Sequence, residues 1–381
     1  MTTLAFHGGP IAGPKGWIEG QAVLVKDGKI HSIIDLDKIP DGATQVDLDG
    51  DVLASGFIDI QVNGGGGVLF NGDPSVETIA KIGAAHAVYG TTGFLPTLIS
   101  DSFDKIKAAI AAVDAAIAQG VPGVLGIHLE GPFLNVTKKG VHDARTFRVL
   151  DDAAISLLTS LKNGKTLITL APETAPSGAL AQLVARGAIV FAGHSDATFE
   201  QVERAKDEGL TGFTHIFNAM SQLGSRAPGV VGSALRGPDT FAGLIADGVH
   251  VHPANMELVA ELLGKAHTIL VTDAMPTVGS DENYFELGDQ LIVARGDTCY
   301  TEDGVLAGSN LNMAQAVVNM MDLTGVDQWD ALAMASATPA RAVGLAEHHG
   351  QIAAGQWADL VRLDEAGKVV TTWIRGVAVS H

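Results

Sequence analysis

Apolar runs recur along the chain, with helix-like stretches between them. Eight of these runs have the character of buried strands: Gly56–Asn63, Gly93–Ile99, Val124–Glu130, Thr166–Pro172, Ala188–His194, Thr211–Phe217, Phe241–Asp247 and Thr268–Asp273. Most are continuously apolar rather than alternating, as in strands covered on both faces of a parallel sheet. Between them, Ser75–Tyr89 and Ser102–Ala118 are alanine-rich and helix-like. Asp151–Leu161 opens with an acidic first turn, and Thr198–Glu208 opens with a threonine able to cap. Eight strand–helix units over residues 56–344 predict an α/β fold, a TIM (β/α)8 barrel, which needs about 250 residues. The surplus falls in Tyr284–Ala307, which reads as a small hairpin insertion, and in helices near the end.

The two ends of the chain have a different texture. Residues 21–54 alternate in short runs with turn signals, and residues 350–380 repeat the pattern. Asp-Gly and Ala-Gly turns between β-branched runs indicate hairpins. Neither end is long enough for a core of its own, so the two are expected to pair into one small β-sandwich. The predicted organisation is residues 1–55 and 345–381 in a small β domain, with a barrel at 56–344.

Composition narrows the function. The chain has 381 residues, and charged residues are only 18%, so it is not a disordered chain. A net charge of -19 disfavours nucleic acid and anionic lipid as partners, and any anionic substrate needs local basic groups. The single cysteine, Cys299, excludes an internal disulfide and a multi-cysteine zinc site. The first residues lack a basic segment followed by an apolar one, and no apolar run reaches about 18 residues. No signal peptide and no membrane span are expected, and the default compartment is the cytoplasm.

In a barrel, chemistry gathers at the C-terminal ends of the strands. Strand one ends in Gln61 and Asn63, strand three in Glu130, strand five in His194, and strand six carries His215. Strand seven ends in Asp247, followed by His250, and strand eight ends in Asp273. Two histidines, a glutamate and an aspartate from four strand ends would converge on one point, which suits a catalytic zinc site with an open position for water. A lone histidine is more often surface or core, and His7, His31, His267, His348, His349 and His381 are read that way. His128 shares a strand face with Glu130 and reads as support for the site, and His86 as a structural residue of a helix. Gly64–Gly67 lacks a following Lys-Ser/Thr and reads as a flexible loop over the site rather than a phosphate cradle.

HLEGPF, GHSDAT, THIFNAM, IADGVH, VTDAM and LAGSNLNM, in this order, resemble the N-acetylglucosamine-6-phosphate deacetylase family of the amidohydrolase superfamily. The likeness extends to the C-terminal GQIAAGQWADLV. It implies metal ligands Glu130, His194 and His215, with Asp273 as catalytic acid/base. It also implies substrate contacts from Val141, His142, Asn218, Ala219, Arg226, Asp247, His250, Leu306, Ala307 and Gly308. His142 would hydrogen-bond the acetyl carbonyl. A homodimer is implied, with Arg226 meeting the phosphate near the subunit interface. The substrate implied is a phosphorylated N-acetyl amino sugar.

One departure from the superfamily is informative. Strand one often supplies a His-x-His pair for a second metal, whereas here the positions read Gln61 and Asn63. Neutral amides are poorer ligands than imidazole, so one divalent ion, most consistent with zinc, is expected. The missing pair, and the absence of a lysine at the end of strand four, count against a D-aminoacylase, a dihydroorotase-like amidase or a deaminase. Deacetylation of an N-acetylgalactosamine phosphate remains a close alternative. A non-catalytic scaffold with a decayed site would tend to lose ligands that are present here.

Overall fold

The computed structural model describes residues 3–237, 239–288 and 290–379; His381 and the outermost residues of both ends lie outside the described residues. At its centre is an eight-stranded, all-parallel sheet in sequential order. Its strands are β1 (Phe57–Val62), β2 (Thr91–Ile99), β3 (Gly126–Glu130), β4 (Lys165–Leu170), β5 (Ile189–Ala192), β6 (Gly212–Phe213), β7 (Phe241–Ile245) and β8 (Thr268–Val271). The sheet curls until β8 meets β1. The Asp273 N–H donates to Gln61 O and the Asn63 N–H to Ala274 O, each at 3.0 Å. Asp59, fully buried on β1, accepts from Thr272 Oγ1 across the same seam at 2.5 Å. The result is the TIM barrel the apolar runs predicted.

Helices α1 (Val76–Ala87), α2 (Phe103–Ala118), α3 (Asp152–Leu158), α4 (Ala179–Ala185), α5 (Phe199–Asp207), α6 (Gly229–Arg236) and α7 (Pro253–His267) connect the strands. Their starts are set by local chemistry. The Ser75, Ser102 and Asp151 side chains accept from N–H groups three residues on, and Thr198 forms a reciprocal capping box with Gln201. Three strands stop short of the polar end of their apolar runs: β5 ends before His194, β6 before His215 and β8 before Asp273. These residues leave the ladder because their left-handed φ values, +49°, +34° and +52°, cannot continue a strand.

The terminal segments form two sheets. Thr3–His7, Gln21–Lys26, Lys29–Asp35 and Thr44–Asp47 make one. In the other, Val52–Ser55 pairs antiparallel with Leu360–Leu363, which joins both ends of the chain. Phe6 meets Trp373 edge-on at 5.0 Å between them, within a small core containing Val23, Ile30, Leu53 and Leu360. Strands at Thr3–His7, Ile11–Gly13 and Gly16–Ile18 precede residues 21–54 and extend the small domain beyond the alternating runs.

Two expectations are corrected. The insertion is a four-stranded antiparallel sheet, Tyr284–Leu287, Gln290–Arg295, Thr298–Thr301 and Leu306–Ser309, rather than a small hairpin. Its last strand returns to the barrel, where the Ser309 N–H donates to Asp273 O at 3.0 Å. Gly64–Gly67 is not a flexible loop. Gly64–Gly65 pairs with Val68–Leu69, and the N–H groups of Gly66 and Gly67 donate to Val278 O and Pro276 O. A Cβ on Gly64 would lie 2.5 Å from Val68 O, so glycine is required by close backbone approach.

His86, on α1, supports this hairpin by donating Nε2–H to Gly64 O at 2.9 Å. Burial lowers its pKa to about 4, so it is neutral at ordinary pH. Between about pH 6.5 and 4 the unfolded chain binds a proton that the folded chain does not, so stability falls as pH falls through this window. The full effect is on the order of 3 kcal/mol. His86→Gln keeps a donor for Gly64. Urea unfolding at pH 7 and pH 4 should show a smaller acid loss in His86→Gln than in the parent, and equal losses would refute the assignment.

Candidate metal centre and active site

Glu130 closes β3, and its carboxylate lies inside the barrel mouth with 2% exposure. His194 Nε2 is 2.8 Å from Glu130 Oε1, His215 Nε2 is 3.1 Å from the same oxygen, and the two imidazole nitrogens are 3.1 Å apart. The three groups form a buried cluster able to hold a metal ion. The protons argue for a cation there. His194 Nδ1 is 2.8 Å from Lys138 O, a carbonyl that can only accept, so the proton of the neutral ring is on Nδ1. Nε2 is then a lone pair facing a carboxylate oxygen. Such donors repel one another at this spacing unless positive charge lies between them. A tetrahedral ion bonded at about 2.0–2.1 Å places its ligands roughly 3.3 Å apart, close to these distances.

The electrostatics agree with this role for Glu130. Burial pushes its pKa up, but the surrounding imidazoles of His142, His194 and His215 outweigh burial and hold it well below the usual carboxylate range. Asp273 shifts the other way, raised by burial and by the charge of Glu130. Asp273 lines the cavity. Its Oδ1 accepts from Gln61 Nε2 at 3.1 Å and Asn63 Nδ2 at 2.7 Å, and Gln61 Nε2 also reaches Glu130 Oε2 at 3.3 Å. Strand one thus presents N–H donors that orient the two acids.

His142 stands beside the cluster, Nε2 lying 3.8 Å from Glu130 Oε1. Its Nδ1 accepts from the Ser100 N–H at 3.3 Å, which leaves the ring proton on Nε2, facing the cavity. Burial, then the neighbouring His194, lowers its pKa to about 4. The ring is therefore a neutral donor. His128 lies deeper in the barrel, bonded to Thr169 Oγ1 at 2.7 Å, and is outside the ligand cluster.

The cavity measures about 340 Å³ and is lined by Asn63, Val141, His142, Asn218, Ala219, His250, Asp273, Leu306 and Gly308, with the three cluster residues. Three expected contacts lie outside this lining. The Asp247 carboxylate is buried against His250, accepting from His250 Nδ1 at 2.5 Å, from its N–H at 2.8 Å and from Thr298 Oγ1 at 3.1 Å. Ala307 is buried in the core of the inserted sheet, because alternate residues of its strand face opposite ways. Arg226 is exposed on the segment before α6. The structure adds Lys138, which lines the cavity, and Ser100, which holds His142. Ser100 follows strand two, an end the strand-end reading passed over. Phe217 and Ala219 also have left-handed φ, +75° and +47°, so non-glycine strain gathers at this mouth.

Residues 52–379 match the model of the amidohydrolase family. The chain belongs to this family. Among similar proteins, an N-acetylgalactosamine-6-phosphate deacetylase of Shewanella sp. (strain ANA-3) is 43% identical, covering 85% of this chain and 82% of its own. An N-acetylglucosamine-6-phosphate deacetylase of Haemophilus influenzae (strain ATCC 51907 / DSM 11121 / KW20 / Rd) is 32% identical over 93% of each chain. The crystal structure of N-acetylglucosamine-6-phosphate deacetylase from Pasteurella multocida superposes with a TM-score of 0.95, at 34% identity and 99% coverage of both chains. In a chain of this family, a carboxylate and two imidazoles beside an acid of raised pKa are groups with the chemistry to assist hydrolysis of a C–N bond.

Glu130→Gln should cut metal affinity at least about 10-fold, because it replaces the one anionic ligand with an amide. Metal analysis after dialysis against a weak chelator checks this, and parent-like content would remove Glu130 from the ligand set.

Proposed function

We propose that this amidohydrolase removes the N-acetyl group of N-acetyl-D-glucosamine 6-phosphate, giving D-glucosamine 6-phosphate and acetate in amino-sugar breakdown. The observation that carries the reading is the Glu130, His194 and His215 triangle beside Asp273 and His142. One divalent ion, zinc by ligand type, would be held by those three residues. When bound, it supplies Lewis acidity and lowers the pKa of water toward about 7. Gln61 and Asn63 donate N–H groups where a second ion would need acceptors, which supports a single ion.

The residues divide the work. His142 Nε2–H donates to the acetyl oxygen as charge develops there. Asp273 takes the proton of the attacking water and returns it to the departing nitrogen, so a C–O bond forms as the C–N bond breaks. Its raised pKa suits it to both halves of that transfer. The phosphate needs cations on a chain of charge -19. His250, its Nδ1 occupied by Asp247, keeps Nε2 for the cavity, beside the Asn218–Ala219 backbone. Arg226, exposed and outside its own cavity, suits a homodimer in which it meets the phosphate near the interface. Among the described residues no helix is long and apolar enough to cross a membrane, in keeping with a cytoplasmic enzyme.

The 43% identity to an N-acetylgalactosamine-6-phosphate deacetylase favours a second reading, with the galacto epimer as substrate. Acetate release from both N-acetylhexosamines, each with and without a 6-phosphate, separates the readings. Activity confined to unphosphorylated substrates would overturn both. Asp273→Asn should retain metal and lose at least about 1000-fold in kcat, a combined loss of base and acid. Arg226→Ala should raise KM at least about 10-fold for the phosphorylated sugar and leave its unphosphorylated analogue nearly unchanged. Equal changes for both would argue against phosphate contact.

A further inference from the structure

Beyond β4 the chain turns through Pro172–Thr174 and leaves Glu173 half-buried at the C-terminal face of the barrel. Its carboxylate accepts from two neighbouring loops. Asn135 Nδ2 donates to Oε1 at 2.9 Å, the Asp196 N–H donates to Oε1 at 2.7 Å, and Ser195 Oγ donates to Oε2 at 2.7 Å. Glu173 does not line the cavity.

Both loops carry site residues. Ser195 and Asp196 directly follow His194. Asn135 opens the segment that runs to His142, which has only one short 3-10 turn, Val136–Lys138, to define it. This segment nevertheless supplies two groups that need exact placement. Lys138 O receives the His194 Nδ1 proton at 2.8 Å, and the His142 ring stands over the cluster. Two further links tie the loops together: the Asn135 N–H to His194 O at 2.9 Å, and Lys138 Nζ to Asp196 Oδ1 at 3.3 Å. Glu173 reaches both loops from a third strand end. Groups that orient a ligating histidine from behind typically change metal affinity or activity by about 10- to 100-fold when removed.

We propose that Glu173 is a positioning residue. Its carboxylate clamps the Asn135–His142 segment to the Ser195–Asp196 turn, setting the ring plane of His194 and the approach of His142. The inference rests on the metal-assisted amide hydrolysis described above.

The test compares Glu173→Ala, Glu173→Gln and Asn135→Asp in the full chain. Four quantities are measured: metal affinity by chelator competition, the visible spectrum of the cobalt-loaded protein, kcat and KM for acetate release, and thermal unfolding. Glu173→Ala should lower metal affinity and kcat by about 10- to 100-fold and change the cobalt spectrum, with KM moving less than about threefold. Glu173→Gln keeps oxygen acceptance toward Asn135 and Asp196 and should stay within about threefold of the parent. Asn135→Asp keeps the Oδ1 that accepts from the Thr137 N–H, but sets a second carboxylate against Glu173. It should reproduce the Glu173→Ala losses, and it carries the test if Glu173→Ala does not fold. A parent-like cobalt spectrum and metal affinity in folded Glu173→Ala or in Asn135→Asp overturns the proposal. So do equal losses in Glu173→Gln and Glu173→Ala. Failure of the hydrolytic reading looks different: no acetate from the parent, with the spectral differences between variants intact.

Discussion

The seam where β8 meets β1 is the constraint on which the site depends. It carries few ladder hydrogen bonds, and the groups that complete it also build the active centre. The Asp273 N–H donates to Gln61 O, while the Gln61 side chain donates back to the Asp273 carboxylate. Asp59 fastens Thr272 from the other side of the same junction. Just beyond, the Gly64 hairpin and the returning strand at Ser309 both pair with the stretch that follows β8. Closing the barrel therefore brings together Asp273, its amide donors and the Leu306 and Gly308 wall of the cavity.

A second constraint is charge. Glu130 is a buried carboxylate in an acidic protein, and burial alone would protonate it. Three imidazoles keep it ionised. Burial and the charge of Glu130 raise Asp273, so two carboxyl groups on neighbouring walls are driven apart in pKa. That separation suits the two carboxyl groups to the different roles proposed for them, one holding the ion and the other moving a proton. Left-handed backbone at His194, His215 and Asp273 turns these side chains out of the strand ladder and toward the cavity. The surrounding hydrogen bonds hold conformations that cost on the order of 1–3 kcal/mol each.

Much of this was legible in the residues. The apolar runs located all eight barrel strands because a strand covered on both faces has no freedom to be polar. Glu130, His194, His215 and Asp273 stood out because polar side chains at the ends of such runs face the barrel mouth. The first small-domain strands were harder to see, because short segments such as Ile11–Gly13 and Gly16–Ile18 are too brief to carry a period. Asp247 illustrates a different limit. Its place after β7 marks it as close to the site, but its carboxylate serves His250 and lies outside the cavity lining.

Gln61 and Asn63 mark the boundary between the two kinds of information. Their identity alone argues against a second strongly held ion, since an amide is a weak ligand wherever it stands. Only the closed barrel reveals that both amides donate to Asp273. Likewise the glycines at 64–67 announce a special backbone, and the packed neighbours decide that it is a fastened hairpin. Glu173 is farther from legibility still, because its partners lie 22, 23 and 38 residues away in sequence. By itself the sequence determined the fold class and pointed to the candidate ligands and acid, because these follow from periodicity and side-chain chemistry. Which groups meet, and which donor faces which acceptor, was decided by tertiary structure, because hydrogen bonds between separate strand ends exist only once the barrel has closed.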